Sequence, residues 1–356
     1  MNQFYRILIL LLGFFTALFL ILIPNFQGLS QTQTKVLSQN DIEAIAKMTV
    51  VFHGPDLKSL DSRTIKDSLF KSNYLQKYLD KFIGSGVIIA KIVGKRKQDN
   101  VYYALTNVHV LETPILDRCD YIHKIIRDSK KSSKEQREGV YPVNPMSKQK
   151  CDDYIESFGN YDPKKNSDID GFDLAIIKFK SKRNYFTVSI DNSDSIQQDD
   201  KVFVFGFPSE KILENYDNNN DKDIDTIMKS TSGTVKSLDA PQPDGGYDFA
   251  YTNPTVQGMS GGLVLNEQGY LVGIHGKGIT NKPKDGGQGI RIKHFLELIG
   301  QGNSLISLSD LNFDPPSQEL IDEGKENDGV IENINEILFL CPEIENKTPS
   351  FMETER

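Results

Sequence analysis

The sequence predicts an all-β fold, and three observations point to it. Between about residues 46 and 290, short runs of β-branched and aromatic residues are separated by Gly, Pro, Asn and Asp, the pattern of an all-β sandwich or barrel. A clear helical period occurs only at the end of that region, where Ile292, Phe295, Leu296 and Ile299 stand at i, i+3, i+4 and i+7. Three chemistry-bearing residues, His109, Asp173 and Ser260, follow one another in an order that goes with paired β-barrels rather than an α/β sheet.

Taken from the N-terminus, Met1 to Arg6 is short with one positive charge, and Ile7 to Ile23 is almost purely apolar. Gly28-Leu29-Ser30 supplies a small-x-small cleavage site, so residues 1–30 read as an export signal. An uncleaved anchor through residues 7–23 is the alternative. In either case the remainder is expected outside the cytoplasm, secreted or periplasmic. Residues 31–45 are polar and read as a linker or short propeptide. The expected strands are Val87 to Ile92, Val101 to Asn107, Leu174 to Phe179, Val202 to Phe207, Thr234 to Leu238, Tyr247 to Thr252, Leu263 to Asn266 and Tyr270 to His275. They divide into an N-terminal barrel of about 46–185 and a C-terminal one of about 186–302.

Two polar stretches interrupt the strands. One, about 112–170, separates His109 from Asp173. The other, Asp217 to Asp225, alternates oxygen-bearing side chains as a calcium loop does, but Lys222 stands where the turn glycine is needed and Met228 where the bidentate glutamate is needed. It reads as a solvated loop tip. The helix at 292–299 should lay its apolar stripe on the barrel, and Gly300 and Gly302 end it. Beyond Asn303 the chain is rich in Asp, Glu, Asn and Pro, so 303–356 is expected to be an acidic, mobile tail. Val330, Ile331, Ile334, Ile337 and Leu338 nevertheless share one helical face within it.

Composition narrows the function classes. With 38% hydrophobic residues among 356, a packed core is affordable, and a net charge of −8 argues against nucleic acid as a partner. The one basic run, Lys124 to Arg137, is mixed with Ser, Asp and Glu and reads as a solvated loop. Three cysteines exclude a disulfide-dense scaffold; Cys119 and Cys151 flank the polar insert and have the option of closing it. No zinc-type spacing occurs, and neither a metal nor an organic cofactor is expected.

The chemistry concentrates in Gly258-Met259-Ser260-Gly261-Gly262. A serine hydroxyl is a weak nucleophile at neutral pH and needs a base within reach and a carboxylate to orient that base. His109 is the candidate base because it follows the apolar strand Ala104 to Val108, whereas His53, His123 and His294 read as structural. Asp173 is the candidate carboxylate because it directly precedes an apolar strand, whereas Asp168 and Asp170 sit in a loop-like Asn-Ser-Asp-Ile-Asp-Gly. Ser260 is the candidate nucleophile, and the N–H groups of Gly258 and Ser260 would face a developing oxyanion, where each donor is worth about 2.7–4 kcal/mol. The competing reading is a trypsin-fold module that binds peptides without turnover, or a surface-anchored scaffold.

These segments resemble the chymotrypsin-like serine peptidases, and within them the bacterial glutamyl endopeptidases. The resemblance rests on Ser85 to Ile89, Leu105 to Val110, Asp173 to Phe179, Gly206-Phe207-Pro208, Gly258 to Gly262 and Val272 to Gly276. It implies two perpendicular six-stranded barrels with the site in the cleft between them, a polypeptide substrate, and a monomer. It also implies an S1 pocket in which His275 and Thr255 meet an acidic P1 side chain, since an imidazole and a hydroxyl both donate hydrogen bonds. Two positions depart from the family. Leu263 replaces a proline common after the glycines, and Met259 replaces the aspartate that trypsin-type zymogens pair with a new N-terminus, so that activation switch is absent.

Overall fold

Apolar alternation governs the strand pairing seen in a computed structural model of the chain, which describes residues 35–53, 84–95, 100–111, 122–124, 155–161, 169–180, 185–192, 194–209, 228–279, 286–326 and 338–339. The chain divides after Val36, and every element below belongs to the second unit, Leu37–Arg356. The strands are β1 (Val50–His53), β2 (Gly84–Ile92), β3 (Val101–Thr106), β4 (Ile122–Lys124), β5 (Ile155–Tyr161), β6 (Ile169–Lys180), β7 (Lys201–Gly206), β8 (Lys229–Leu238), β9 (Phe249–Tyr251), β10 (Leu263–Asn266), β11 (Leu271–Gly278), β12 (Gly287–Arg291) and β13 (Leu338–Phe339). The helices are α1 (Gln39–Thr49), α2 (Val108–Leu111), α3 (Ile292–Gly300) and α4 (Gln318–Glu326).

The C-terminal half is a closed six-stranded barrel, in the order β10-β11-β12-β9-β8-β7. On β7, Val202 and Val204 point into the barrel with Val235, Phe249, Tyr251, Met259, Val264 and Val272, while Phe203 and Phe205 point out of it into the largest apolar cluster. A period of two therefore gives one strand two apolar faces, which is why β7 reads as a continuous apolar run.

The N-terminal half corrects the expectation of a second six-stranded barrel. Among the described residues it is a seven-stranded sheet, β13-β4-β1-β2-β3-β6-β5, whose end strands are not joined to each other. One face, carrying Val87, Ile89, Tyr103, Leu105, Leu174 and Ile176, shares the large cluster with the outward face of the barrel. The opposite face carries two smaller clusters, Ile88 with Tyr102 and Phe179, and Val108 with Ala175 and Ile177. Strands β5 and β12 were not anticipated. The first lies inside the polar 112–170 stretch and the second is Gly-Gln-Gly-Ile-Arg, so neither shows apolar alternation; hydrogen bonding to β6 and to β11 and β9 makes them strands.

Within the polar 31–45 stretch, expected as a linker or short propeptide, a helix begins at residue 39. Helix α1 is capped by Ser38, whose hydroxyl accepts from the Asp41 N–H while the Asp41 carboxylate accepts from the Ser38 N–H, a capping box. Ile42, Ile45, Ala46 and Met48 are buried in the large cluster. The expected amphipathic helix at 292–299 is α3, with Ile292, Phe295 and Ile299 buried.

The mobile-tail reading fails for 303–326. Ile306, Leu311, Leu320 and Ile321 are all buried. Burying each is worth about 1.5–3 kcal/mol, enough to order a segment whose overall composition is acidic. Leu311 forms an antiparallel bridge to Ala90, and the Leu305 N–H donates to Glu156 Oε2 at 2.7 Å. Helix α4 packs on α1: Gly324 lies against the Ala44 carbonyl, and Lys325 pairs with Asp41. Leu338, read as part of a helical face, is in strand β13, paired to His123. Residues 1–30, Cys119, Cys151, Cys341, the 217–225 loop, Asp168 and the rest of the 330–338 stretch lie outside the described residues.

Candidate functional site

Strand register brings the first two candidates together. β3 runs antiparallel to β6 with Thr106 opposite Ala175, so the chain leaving β3 passes beside Asp173. Asn107 Nδ2 donates to the Asp173 carbonyl at 2.6 Å and locks that exit. His109 then sits not on the strand itself but on the single helical turn α2, whose Val108, Val110 and Leu111 are buried. Its backbone N–H donates to Asp173 Oδ1 at 3.0 Å, and its Nδ1 lies 2.6 Å from Oδ2. Asp170, read as a loop residue, is within β6 and pairs with Asn160.

The Asp173 side chain has no exposed surface, while that of His109 keeps 30%. Burial alone lowers the pKa of His109, but the charge and hydrogen bond of Asp173 outweigh it and hold the imidazole above its ordinary value. Burial raises the pKa of Asp173, and the His109 charge, the His109 hydrogen bonds and the Tyr247 hydroxyl carry it below the usual carboxylate range. With Nδ1 bonded to the carboxylate, Nε2 is the ring nitrogen left to act as an acceptor in the neutral form.

Ser260 lies on the turn from Val256 to Gly262, and that turn is built by glycines. Gly258 (φ +93°) and Gly261 (φ +82°) adopt the left-handed region, and a Cβ on Gly261 would stand 1.9 Å from the Ser85 carbonyl oxygen. Met259 points into the barrel core. Ser85, buried on β2, holds both ends of the turn. Its N–H donates to the Ser260 carbonyl at 2.6 Å, and its Oγ donates to the Gly258 carbonyl at 3.0 Å while accepting from Phe207 N–H at 2.9 Å. The N–H groups of Gly258 and Ser260 have no acceptor among the described residues. Ser260 Oγ donates to the Gly276 carbonyl at 2.8 Å, and no hydrogen bond joins it to His109.

His275 and Thr255 come together on the barrel side. They close around Gly287, where a Cβ would stand 2.7 Å from Tyr251 Cε2, 3.0 Å from Thr255 Cγ2 and 3.1 Å from His275 Cε1. Thr255 Oγ1 is buried and has no hydrogen-bond partner among the described residues. The Tyr251 hydroxyl and His275 Nδ1 are hydrogen-bonded at 2.6 Å. Burial, with a smaller contribution from the His109 charge and against a Gln288 backbone hydrogen bond, lowers the His275 pKa to about 3. The ring is therefore neutral at pH 7 and offers hydrogen bonds rather than charge.

Sequence reasoning missed Tyr247, which was assigned only to a strand. Its hydroxyl donates to Asp173 Oδ2. It also missed Ser85 as more than part of an apolar strand. A buried serine hydroxyl within an otherwise apolar β2 was the available signal for Ser85; nothing local marks Tyr247.

An imidazole held by a buried carboxylate, and a serine in a glycine-built turn tied to β2, are residue types that a nucleophilic hydrolase uses. Residues 84–274, more than half of the chain, match the family model described as a trypsin-like peptidase domain, and the chain belongs to that family. Such a domain implies a polypeptide substrate. Among solved structures, the chain is similar to the crystal structure of the serine endoprotease from Yersinia pestis, with 19% identity and a TM-score of 0.39, covering 75% of this chain and 67% of that one. No curated protein matches it.

Proposed function

We propose that this chain is a serine endopeptidase working through an acyl-enzyme intermediate, with His109, Asp173 and Ser260 as its triad. The observation that carries the reading is the 2.6 Å contact between His109 Nδ1 and Oδ2 of a wholly buried Asp173. It fixes the tautomer that leaves Nε2 as the base. In the reaction, Ser260 Oγ rotates from the Gly276 carbonyl toward His109 and attacks the substrate carbonyl as Nε2 takes its proton. Asp173 stabilises the imidazolium, and the unpaired N–H groups of Gly258 and Ser260 receive the oxyanion. His109 then protonates the leaving amine, and water repeats the sequence to release the acid. Because Met259 cannot serve a zymogen ion pair, the turn is held instead by the Ser85 hydrogen bonds.

For specificity, Thr255 and His275 stand together beside Gly287, and an acidic P1 side chain that reached them would meet a hydroxyl without a partner among the described residues and a neutral imidazole. The enzyme acts as an exported monomer, secreted or held by residues 7–23. One observation favours the second reading, a silent peptide-binding module: the Ser260 hydroxyl is engaged by Gly276 rather than by His109. A fluorophosphonate probe separates the two. Wild type should label and Ser260→Ala should not; absence of wild-type labelling across pH 6 to 9 would leave the binding module as the reading. Cleavage of a proteome-derived peptide library then reads P1, and even cleavage after all residues, or a preference for basic ones, would end the acidic assignment.

A further inference from the structure

We propose that Tyr247 is a positioning residue of this site: its phenol fixes the Asp173 carboxylate and thereby sets the orientation and basicity of His109. The inference rests on the triad reading above and extends it to a residue outside the triad.

Asp173 is buried with three donors around it. His109 N–H occupies Oδ1, and His109 Nδ1 and the Tyr247 hydroxyl share Oδ2. A carboxylate held by donors on both oxygens has one orientation left, and that orientation aims the imidazole. The phenol is itself held from several sides. A Cβ on Gly276 would lie 2.2 Å from Tyr247 Cε1, and one on Gly245 (φ +76°) would lie 2.7 Å from Cε2, so both neighbours leave room for the ring by being glycine. Lys277 Nζ stands 4.1 Å from the ring centroid and is tied at 3.0 Å to Asp244 Oδ2. The Tyr247 carbonyl accepts from Gln242 N–H at 3.0 Å, closing the loop that delivers the ring.

The same Gly276 that makes room for the phenol carries the carbonyl that Ser260 Oγ meets. Tyr247 thus touches the carboxylate through its hydroxyl and lies against Gly276 of β11 with the edge of its ring. Burial first, then the Asp173 charge, raise its pKa well above the usual phenol value, so the hydroxyl stays a donor at any working pH. A donor on Asp173 stabilises its charge and moderates its pull on the imidazole proton. Without it, the carboxylate attracts that proton more strongly, His109 titrates at higher pH, and less neutral base is present at pH 7.

The test is an NMR titration of the His109 ring together with the pH profile of fluorophosphonate labelling, for wild type, Tyr247→Phe and Ser260→Ala. Tyr247→Phe is expected to raise the His109 midpoint by at least about half a pH unit, to move the acid limb of labelling upward by the same amount, and to lower the plateau labelling rate by about tenfold or more. A purely packing role would change stability and leave both midpoints in place; that result overturns the proposal. The titration reads the Asp173–His109 coupling even if the serine never labels, so failure of the peptidase reading (no wild-type labelling) is distinct from failure of this one (unmoved His109 midpoint). Should Tyr247→Phe not fold, difluorotyrosine at position 247 keeps the ring and strengthens the donor. It is expected to move the His109 midpoint downward, and an unmoved midpoint there also overturns the proposal.

Discussion

Acidification from pH 7 to pH 5 is expected to destabilise this protein by about 2 kcal/mol through His275 alone. The ring is 2% exposed and its pKa is lowered from 6.5 to about 3. The unfolded chain therefore binds a proton near pH 6.5 that the folded chain refuses until about pH 3. The sign follows from linkage: a group with a depressed folded pKa contributes stability that is present above its unfolded value and is lost as pH falls toward the folded one. At about 1.4 kcal/mol per pH unit the loss is about 2 kcal/mol by pH 5 and roughly 3 kcal/mol by pH 4. His275→Gln keeps a polar side chain beside Tyr251 but cannot titrate. Urea unfolding of both proteins at pH 7 and pH 5 isolates the effect, because every other titrating group is common to them. Wild type should lose about 2 kcal/mol more than the variant between the two pH values, read as a larger fall in midpoint at constant m. Equal losses, within about 0.5 kcal/mol, would show that the ring is hydrated enough to take a proton in the folded state. The description of His275 as a buried, neutral ring would then be wrong.

Two further substitutions test other parts of the structure. Ser85→Ala removes the donor to the Gly258 carbonyl and the acceptor of Phe207 N–H; stability should fall by about 1–3 kcal/mol in urea unfolding. Labelling of Ser260 should slow by about tenfold or more, because an oxyanion donor in this turn is worth about 2.7–4 kcal/mol. Unchanged labelling in a folded Ser85→Ala protein would remove Ser85 from the site. Gly324→Ala places a Cβ 2.3 Å from the Ala44 carbonyl oxygen. It should destabilise by about 1–3 kcal/mol through separation of α1 and α4. Helix propensity alone predicts the opposite sign, up to about 1 kcal/mol of stabilisation, so a more stable variant would mean that the two helices do not pack.

Much of the barrel was legible because its strands carry the evidence in themselves. Val202 to Phe207 and Leu263 to Asn266 are apolar on both faces, since one face fills the barrel and the other the cluster shared with the sheet. Helix α3 was legible from its single apolar stripe. Helix α1 was legible in principle, from Ser38, Asp41, Ile42 and Ile45, but the polar residues around them masked the capping box. The fate of 303–326 was not legible, because Ile306, Leu311, Leu320 and Ile321 are scattered among acidic residues and become a cluster only when they meet α1 and β2.

The site divides in the same way. A histidine after an apolar strand, an aspartate before another and a serine among glycines are local patterns, and local conformation is enough to write them into a sequence. Tertiary structure alone decided that Thr106 lies opposite Ala175 and so delivers His109 to Asp173, that Ser85 bridges two turns of the chain, and that Tyr247 reaches Asp173 from the loop before β9. It also decided that the described strands of the N-terminal half join in one seven-stranded sheet and that the Ser260 hydroxyl rests on Gly276. The physical reason is that hydrogen bonds between residues distant in the chain depend on register and on how two layers pack, and neither leaves a periodic trace in the segments that make them.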